Sequence, residues 1–491
     1  MASPAIKSSF RYVLFTYFVV ILMPSLLMLN KGTHASEEIL KAEKDFHLVE
    51  VSSILPPLTC KSTASRGPKE KSTLKIVHRS GPCYNGESIR LTLSQILSHD
   101  QARVASIQSS RPVSIAETNG IRDRKTSIPN KPGSAYIGTD NFSNYVVTVG
   151  LGTPKKSYTL VFDTGSDLTW TQCQPCKKKI CYRQNDPIYD PLQSLSYSNV
   201  SCSSPQCSLL IAGTGYKPGC TGSTCVYSIQ YGDESYSVGL FAKETLTLGS
   251  DSIPGFLFGC GQSNRGSFGK NDGLLGLGRS KISLVSQTAK KYGEVFSYCL
   301  PTPYGSNGFL SFGKGVYSSS KTVKFTPFSA SELSEYYYAV DLVSISVGGK
   351  LLPISFKVFQ KAGTIVDSGT FFTWLPPAAY SALSRAFRKQ MTSYKQVPGV
   401  DVMDACYDFT GLTSIKLPKI SFIFRGNVTV DLGANGILTP VSGQKQVCLA
   451  FAANSDASEL GIFGNVQQQT MQMVFDVAGR RLGFGPLGGC S

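Results

Sequence analysis

One short pattern, Asp-(Thr/Ser)-Gly, occurs twice in this chain in the same setting. The copies read Asp163-Thr164-Gly165-Ser166-Asp167-Leu168-Thr169-Trp170 and Asp367-Ser368-Gly369-Thr370-Phe371-Phe372-Thr373-Trp374, 204 residues apart. Each follows an apolar run, Tyr158-Thr159-Leu160-Val161-Phe162 or Thr364-Ile365-Val366, that predicts a buried strand. The chain's two tryptophans stand seven residues past the two aspartates. Self-similarity at this spacing predicts a duplicated lobe, and two carboxylates on matched turns predict one shared site. A second matched pair strengthens the reading: Asp272-Gly273-Leu274-Leu275-Gly276-Leu277-Gly278 and Leu460-Gly461-Ile462-Phe463-Gly464-Asn465. In each, a glycine after two apolar residues lets one backbone pass tightly against the Asp-x-Gly turn.

The histidines narrow the chemistry. All four (His34, His47, His78, His99) lie before residue 100, ahead of both copies. A C-terminal body without histidine cannot carry a Ser-His-Asp triad, a Cys-His pair or a His-ligated zinc, so carboxylates remain as general acid and base. Two like charges held close cannot both ionise easily; such a pair shares one proton and presents an acid and a base at once.

Residues 13–29 form an apolar run behind Lys7 and Arg11, with Thr33-His34-Ala35 supplying small residues for cleavage. This predicts a signal peptide over 1–35; a retained anchor is the alternative, but the run is short for the roughly 20 residues a span needs. Fourteen cysteines fit an oxidising compartment. Twelve of them lie from Cys173 to Cys490, six disulfides on the simplest count. Zinc is the competing use of the cluster Cys173, Cys176, Cys181, Cys202, Cys207, Cys220 and Cys225, disfavoured by the signal peptide and by the lack of nearby histidine. Sequons at Asn141, Asn199 and Asn427 agree with secretion.

The stretch 36–133 is polar and basic, with a helix-like segment around Leu91–Gln108, and it ends in Ser127-Ile128-Pro129-Asn130-Lys131-Pro132-Gly133-Ser134, where a processing boundary belongs. Residues 1–135 carry 18 basic and 10 acidic groups, so the leader is the more basic part per residue of a chain of net charge +16. A basic segment ahead of a carboxylate site is either an intramolecular plug, released when the acids protonate, or a solvated linker. From Tyr145 onward, short alternating strands between Gly, Ser, Asn and Asp predict a mostly β body, with helices at Ser283–Tyr292 and Pro377–Tyr394.

From about Asn144 to Cys490 these motifs, together with Tyr231-Gly232-Asp233, resemble the pepsin-like aspartic proteases in content and order. The cysteine-rich insertion after Trp170 resembles the plant nepenthesin-like branch. Within it, Val77-His78-Arg79-Ser80-Gly81-Pro82-Cys83 and Gly464-Asn465-Val466-Gln467-Gln468-Gln469 look like the group of the chloroplast nucleoid DNA-binding aspartic protease. The resemblance implies a bilobal β fold with a cleft between lobes: a propeptide over 36–133, an N-terminal lobe over 134–330 and a C-terminal lobe over 331–491. It implies Asp163 and Asp367 as a catalytic pair activating water, supported by Thr164, Gly165, Ser166, Ser368, Gly369 and Thr370. Tyr231, Gly232 and Asp233 would form a flap over substrate, with Trp170 bonding Tyr231; a plain core role is the alternative for Trp170. Glu234 stands where the branch often has glycine, and Trp374 where the second copy often has tyrosine. The implied bridges are Cys173–Cys176, Cys181–Cys260, Cys202–Cys225, Cys207–Cys220, Cys299–Cys490 and Cys406–Cys448.

The expected activity is a secreted aspartic endopeptidase working in acid on protein or peptide substrates, as a monomer without cofactor, metal or stable membrane anchor. The expected location is extracellular, with vacuole or plastid as alternatives. Two other classes compete. Nucleic-acid binding is suggested by Lys155-Lys156, Lys177-Lys178-Lys179, Lys290-Lys291 and Arg480-Arg481, although no recognition element accompanies them. An inactive relative acting as an inhibitor or binding protein would be expected to show damage at one Asp-x-Gly, and both are whole.

Overall fold

The strand Lys156–Asp163 is exposed at its start and fully buried over its last four residues, so its aspartate is delivered into the interior. In a computed structural model of the chain, the residues described are 45–54, 70–84, 92–109, 145–176, 180–231, 234–266, 268–303, 308–316, 322–441 and 446–488. The expected signal peptide and processing boundary, Asn141, Gly232, Asp233 and Cys490 lie outside them.

The two halves repeat one topology. Lys156–Asp163 runs parallel to Gly273–Gly276, and Thr364–Val366 runs parallel to Gly461–Phe463. In each half the strand carrying the tryptophan lies antiparallel on the far side, with Trp170 opposite Leu274 and Trp374 opposite Ile462. Register continues to the glycines: Gly276 stands beside Asp163, and Gly464 follows Phe463, the partner of Val366. A Cβ on Gly276 would lie 2.3 Å from the Asp167 carbonyl carbon, and one on Gly464 would lie 2.3 Å from the Phe372 carbonyl oxygen. Both close passages therefore require glycine.

The halves are joined by sheet. Met471–Asp476, near the chain end, pairs with Val295–Cys299 of the first half, and Phe296 stacks on Phe475 at 4.5 Å. Further sheets complete the second half, two of them built around the pairs Leu342–Val347 with Ile420–Phe424 and Cys406–Asp408 with Gln446–Leu449. The architecture is mostly β. Among the described residues Pro377–Gln390 is the longest helix of the body, burying Tyr380, Leu383 and Phe387. The helix expected over Ser283–Tyr292 is instead two short ones, Leu284–Gln287 and Ala289–Tyr292. Thr288 separates them, its hydroxyl bonding back to the Leu284 carbonyl at 2.7 Å, a local bond that competes with helix continuation. No helix among the described residues is long and apolar enough to cross a membrane.

The leader is woven into both halves, which its polar composition did not suggest. Leu74–His78 is inserted between Gly308–Phe312 and Tyr145–Leu151, in the middle of the first half's sheet. Phe46–Glu50 adds antiparallel to Ser414–Pro418 in the second. The leader also forms the helix Leu93–Ser109, which starts on a reciprocal cap: Thr92 N–H donates to Gln95 Oε1 and Gln95 N–H to Thr92 Oγ1. Its buried residues Leu93, Leu97, His99, Asp100, Arg103, Val104 and Ile107 recur at helical spacing, so one side of the helix carries both apolar and ionisable groups.

Candidate active site

Each aspartate ends a buried strand and opens a turn that bonds its own carboxylate. Gly165 N–H donates to Asp163 Oδ1 at 3.0 Å and Ser166 Oγ to Oδ2 at 2.7 Å. In the second copy Gly369 N–H donates to Asp367 Oδ1 at 3.0 Å and Thr370 Oγ1 to Oδ2 at 2.6 Å. The turns are cross-tied: Thr164 N–H donates to Ser368 Oγ and Ser368 N–H to Thr164 Oγ1, at 3.0 and 2.9 Å. A Cβ on Gly165 would lie 2.6 Å from Asp367 Oδ1, and one on Gly369 2.6 Å from Asp163 Oδ1, so the glycines let the carboxylates face each other.

A group that the sequence reading did not single out lies between them. Arg103, from the leader helix, donates through Nη2 to Asp163 Oδ1 at 2.7 Å and to Asp367 Oδ1 at 2.9 Å, and through Nε to Asp367 Oδ2 at 2.8 Å. One turn earlier, Asp100 accepts from Phe371 N–H, Phe372 N–H and the Trp374 indole N–H at 2.7, 3.1 and 2.9 Å. Leu93 and Leu97 pack with Phe371, Phe372 and Val466, and Val104 and Ile107 with Trp374, Ile365 and Ile462. Gln108 exchanges two hydrogen bonds with the Leu460 backbone. An acid and a base three residues apart on an apolar helix face, Asp100 and Arg103, was the available signal.

The charges divide unequally. Burial pushes both aspartates up. For Asp163 the pull of Arg103 is outweighed by burial and the neighbouring Asp367, leaving it above the usual carboxylate range. For Asp367 the charge and hydrogen bonds of Arg103, with those of Thr370 and Gly369, outweigh burial and hold it below. Asp100 is raised to about 6 by burial, against the pull of its three N–H donors and Arg103.

Residues 145–314 match the family described as xylanase inhibitor N-terminal, and residues 337–486 the one described as xylanase inhibitor C-terminal. An aspartyl protease family protein of Arabidopsis thaliana is 47% identical over 95% of this chain and 97% of its own length. Nepenthesin-2, an aspartic proteinase of Nepenthes gracilis, is 37% identical over 70% of this chain and 77% of its own. The chain belongs to the pepsin-like aspartic protease family. It is an aspartic-type endopeptidase by that membership. Among solved structures, soybean basic 7S globulin aligns with a TM-score of 0.56 over 70% of this chain and 91% of that one, at 22% identity, which bears on the fold.

Around the dyad of this aspartic protease, Trp170 is fully buried and donates its indole N–H to Tyr231 Oη at 2.8 Å, with Phe268 edge-on to both rings. Trp170 is thus a core residue that also hydrogen-bonds Tyr231. Glu234 is exposed with φ at +66°, a left-handed conformation natural to the glycine often found there, and its N–H donates to the Tyr231 carbonyl.

The cysteine pairing differs from expectation. Cys173 bonds Cys260 and Cys176 bonds Cys181, in place of Cys173–Cys176 and Cys181–Cys260. Parallel pairing of Trp170–Gln172 with Gly259–Gly261 carries Cys173 to the buried side of Cys260. Cys202 bonds Cys220 and Cys207 bonds Cys225, in place of Cys202–Cys225 and Cys207–Cys220. Cys220 and Cys225 face each other across a hairpin but differ in burial; the buried Cys207 joins the buried Cys225, and the outward Cys220 takes Cys202. Cys406 bonds Cys448, its cross-strand partner. Cys299 is also disulfide-bonded. Asn199 and Asn427 are exposed. Of the basic runs, Lys291 pairs with Asp251 and Arg481 with Asp476, while Lys177, Lys178 and Lys179 lie outside the described residues.

Proposed function

We propose that this chain is the zymogen of a secreted aspartic endopeptidase that hydrolyses peptide bonds in acid, with Asp163 and Asp367 as the catalytic pair and residues 36–133 as its propeptide. The observation that carries the reading is Arg103, whose guanidinium occupies the inner oxygens of both carboxylates. Those oxygens are where a water must bind to be activated, so the leader and the reaction exclude each other.

Once the leader has left, the like charges of two facing carboxylates favour one shared proton. The ionised member takes a proton from the bound water as it attacks the scissile carbonyl, and the protonated member donates to the carbonyl oxygen. The proton then passes to the leaving amine, and no covalent enzyme intermediate forms. Ser166 and Thr370 hold the outer oxygens, and the cross-tie between Thr164 and Ser368 fixes one carboxylate against the other. Tyr231 serves as the flap residue over substrate, a role supported by its hydrogen bond from Trp170. Secretion, with the apoplast as destination, is supported by the apolar amino-terminal run and the bridged cysteines. Both Asp-x-Gly copies are whole, which favours an enzyme over an inactive inhibitor.

The test is cleavage of a denatured protein by the acid-treated chain between about pH 3 and 7, with and without pepstatin. Asp163→Asn is expected to lower turnover by about 10²–10⁴, the share general acid-base groups contribute. Undiminished cleavage by a folded Asp163→Asn protein overturns the assignment.

A further inference from the structure

The leader also meets the body at a surface that the dyad does not use. Phe46–Glu50 lies antiparallel on Ser414–Pro418, with Val49 opposite Ile415 and His47 opposite Leu417. The pairing runs on at both ends: Val51 N–H donates to the Thr413 carbonyl and Lys419 N–H to the Asp45 carbonyl, each at 3.0 Å. Val49, Val51 and Ile54 are buried in the core, and the helical turn Val51–Ile54 packs on Leu438–Pro440. Among the described residues Ser414–Pro418 pairs with no other strand; on its other edge Lys416 N–H donates to Tyr394 Oη at 2.6 Å. Ile415 and Leu417 are 1% and 0% exposed, so the strand is held to its lobe by its own side chains. Departure of the leader therefore leaves a fixed strand with one open edge, beside the apolar positions that Val49, Val51 and Ile54 vacate.

We propose that this edge is an exosite of the active enzyme, a second binding site that takes an extended segment of a protein substrate as an added β-strand. The inference rests on the peptidase reading and on release of the leader that blocks the dyad. The geometry of the edge defines its ligand. Backbone bonding at alternate residues asks for an extended chain with N–H groups where His47, Val49 and Val51 stand, so proline is excluded at those positions. Val49 and Val51 point inward, while Leu48 and Glu50 point outward and Leu48 is 78% exposed. The segment therefore carries aliphatic residues at alternate positions and tolerates any residue between them. The leader also shows that one chain can reach both sites: Glu50 on this edge and Arg103 at the dyad lie 53 residues apart in sequence. A substrate held at the edge presents the rest of its length to the cleft at raised local concentration. Such binding is the same in the ground state and the transition state, so it lowers KM and leaves kcat alone.

Mass spectrometry of the acid-processed chain should show residues 45–54 gone; if they stay with the enzyme, the edge is never open to substrate and the proposal falls. The processed chain is then given one peptide substrate in two forms, untagged and joined through a long Gly/Ser linker to residues 45–54. The tag is expected to lower KM about tenfold with kcat unchanged, and Val49→Asp with Val51→Asp in the tag should restore the untagged KM. Free 45–54 peptide should compete with the tagged substrate and leave the untagged one alone. Inhibition of both forms would put the peptide in the cleft and overturn the exosite, as would a tag without effect on KM or an effect that survives the two aspartates. If even the untagged substrate is not cleaved, it is the peptidase reading that fails, and the edge is then read by binding. Labelled 45–54 peptide should bind the processed chain about tenfold or more tightly than the same peptide N-methylated at Val49, which loses one backbone donor; equal binding overturns the proposal without reference to catalysis or to the folding of any variant.

Discussion

The turns carrying Asp163 and Asp367 make the same bonds at the carboxylate and part company a few residues later. In the first, Asp167 accepts from Ser280 N–H and Trp170 bonds Tyr231, so every partner comes from the same lobe. In the second, the backbone of Phe371 and Phe372 and the indole of Trp374 all bond to a carboxylate of the leader. Arg103 repeats the bias, giving two hydrogen bonds to Asp367 and one to Asp163. Duplication produced two equivalent turns; the first is completed within its own lobe, and the second by Gln467 and Asn465 of its lobe together with Asp100 of the amino-terminal segment. The amino-terminal segment therefore bears more heavily on the second turn than on the first.

Removal of the shared guanidinium tests this most severely. Arg103→Ala leaves two buried carboxylates without their cation, and losing one partner of a buried pair costs about 3–5 kcal/mol. Amide exchange over Leu93–Ser109 at neutral pH is expected to speed up by roughly 10²–10³-fold. The asymmetry is sharpened by the single-acid variants: Asp367→Asn should loosen this helix more than Asp163→Asn. Equal loosening would mean that Arg103 serves both lobes alike.

Acid should act on the leader's two anchor points in opposite directions. His78 lies in the strand inserted into the first lobe, where its Nδ1 accepts from Ser80 N–H, its Nε2 is buried without a partner and the Tyr145 ring meets it edge-on. Burial, and then the charge of Arg79, hold it down from 6.5 to about 3. A base whose docked pKa is depressed binds fewer protons docked than free. Its contribution is whole above about pH 6.5 and is lost as pH falls toward 3. At pH 5 the loss is about 2 kcal/mol, or roughly 30-fold in docking. Asp100, raised to about 6, binds more protons docked than free, so its anchor on the second lobe tightens as pH falls from about 6 to 3.8. Exchange measured across this range in an Asp163→Asn background should show Leu74–His78 opening before Leu93–Ser109. His78→Asn, which keeps an acceptor for Ser80 N–H, should remove most of the acid opening of that strand. Helix opening first would reverse the order of release.

Much of the dyad was legible because its chemistry is local. Residues within three positions of each aspartate supply the outer bonds, and the glycines forced by close backbone approach are visible as a repeat. The twofold register of Gly276 and Gly464 follows from the same repetition. The leader resisted sequence reading because its structure is borrowed. Leu74–His78 is a strand only because Tyr145–Leu151 and Gly308–Phe312 offer it edges, and Arg103 is one basic residue among many until the fold brings two acids to it. The disulfides failed for a related reason: sequence order gives parity, whereas pairing depends on which face of the Cys220–Cys225 hairpin each sulfur occupies. Helix Ser283–Tyr292 broke on a single hydroxyl at Thr288, below the resolution of an apolar pattern.

The mildest test compares the two tryptophans. Trp170→Phe removes one neutral hydrogen bond to Tyr231 while keeping an aromatic ring against Phe268, a change of about 0.5–1.5 kcal/mol. Exchange should rise about threefold to tenfold in Thr224–Gln230 and in the start of Tyr236–Leu248, the strands that lead to and from Tyr231, and stay unchanged in Leu93–Ser109. Trp374→Phe removes a donor to a carboxylate and should do the reverse, loosening the leader helix and leaving the strands around Tyr231 alone. If Trp170→Phe also loosens the helix, the two lobes communicate through the dyad. The first turn is then completed by the leader as much as the second, and the contrast between them reduces to a difference in how many bonds each makes.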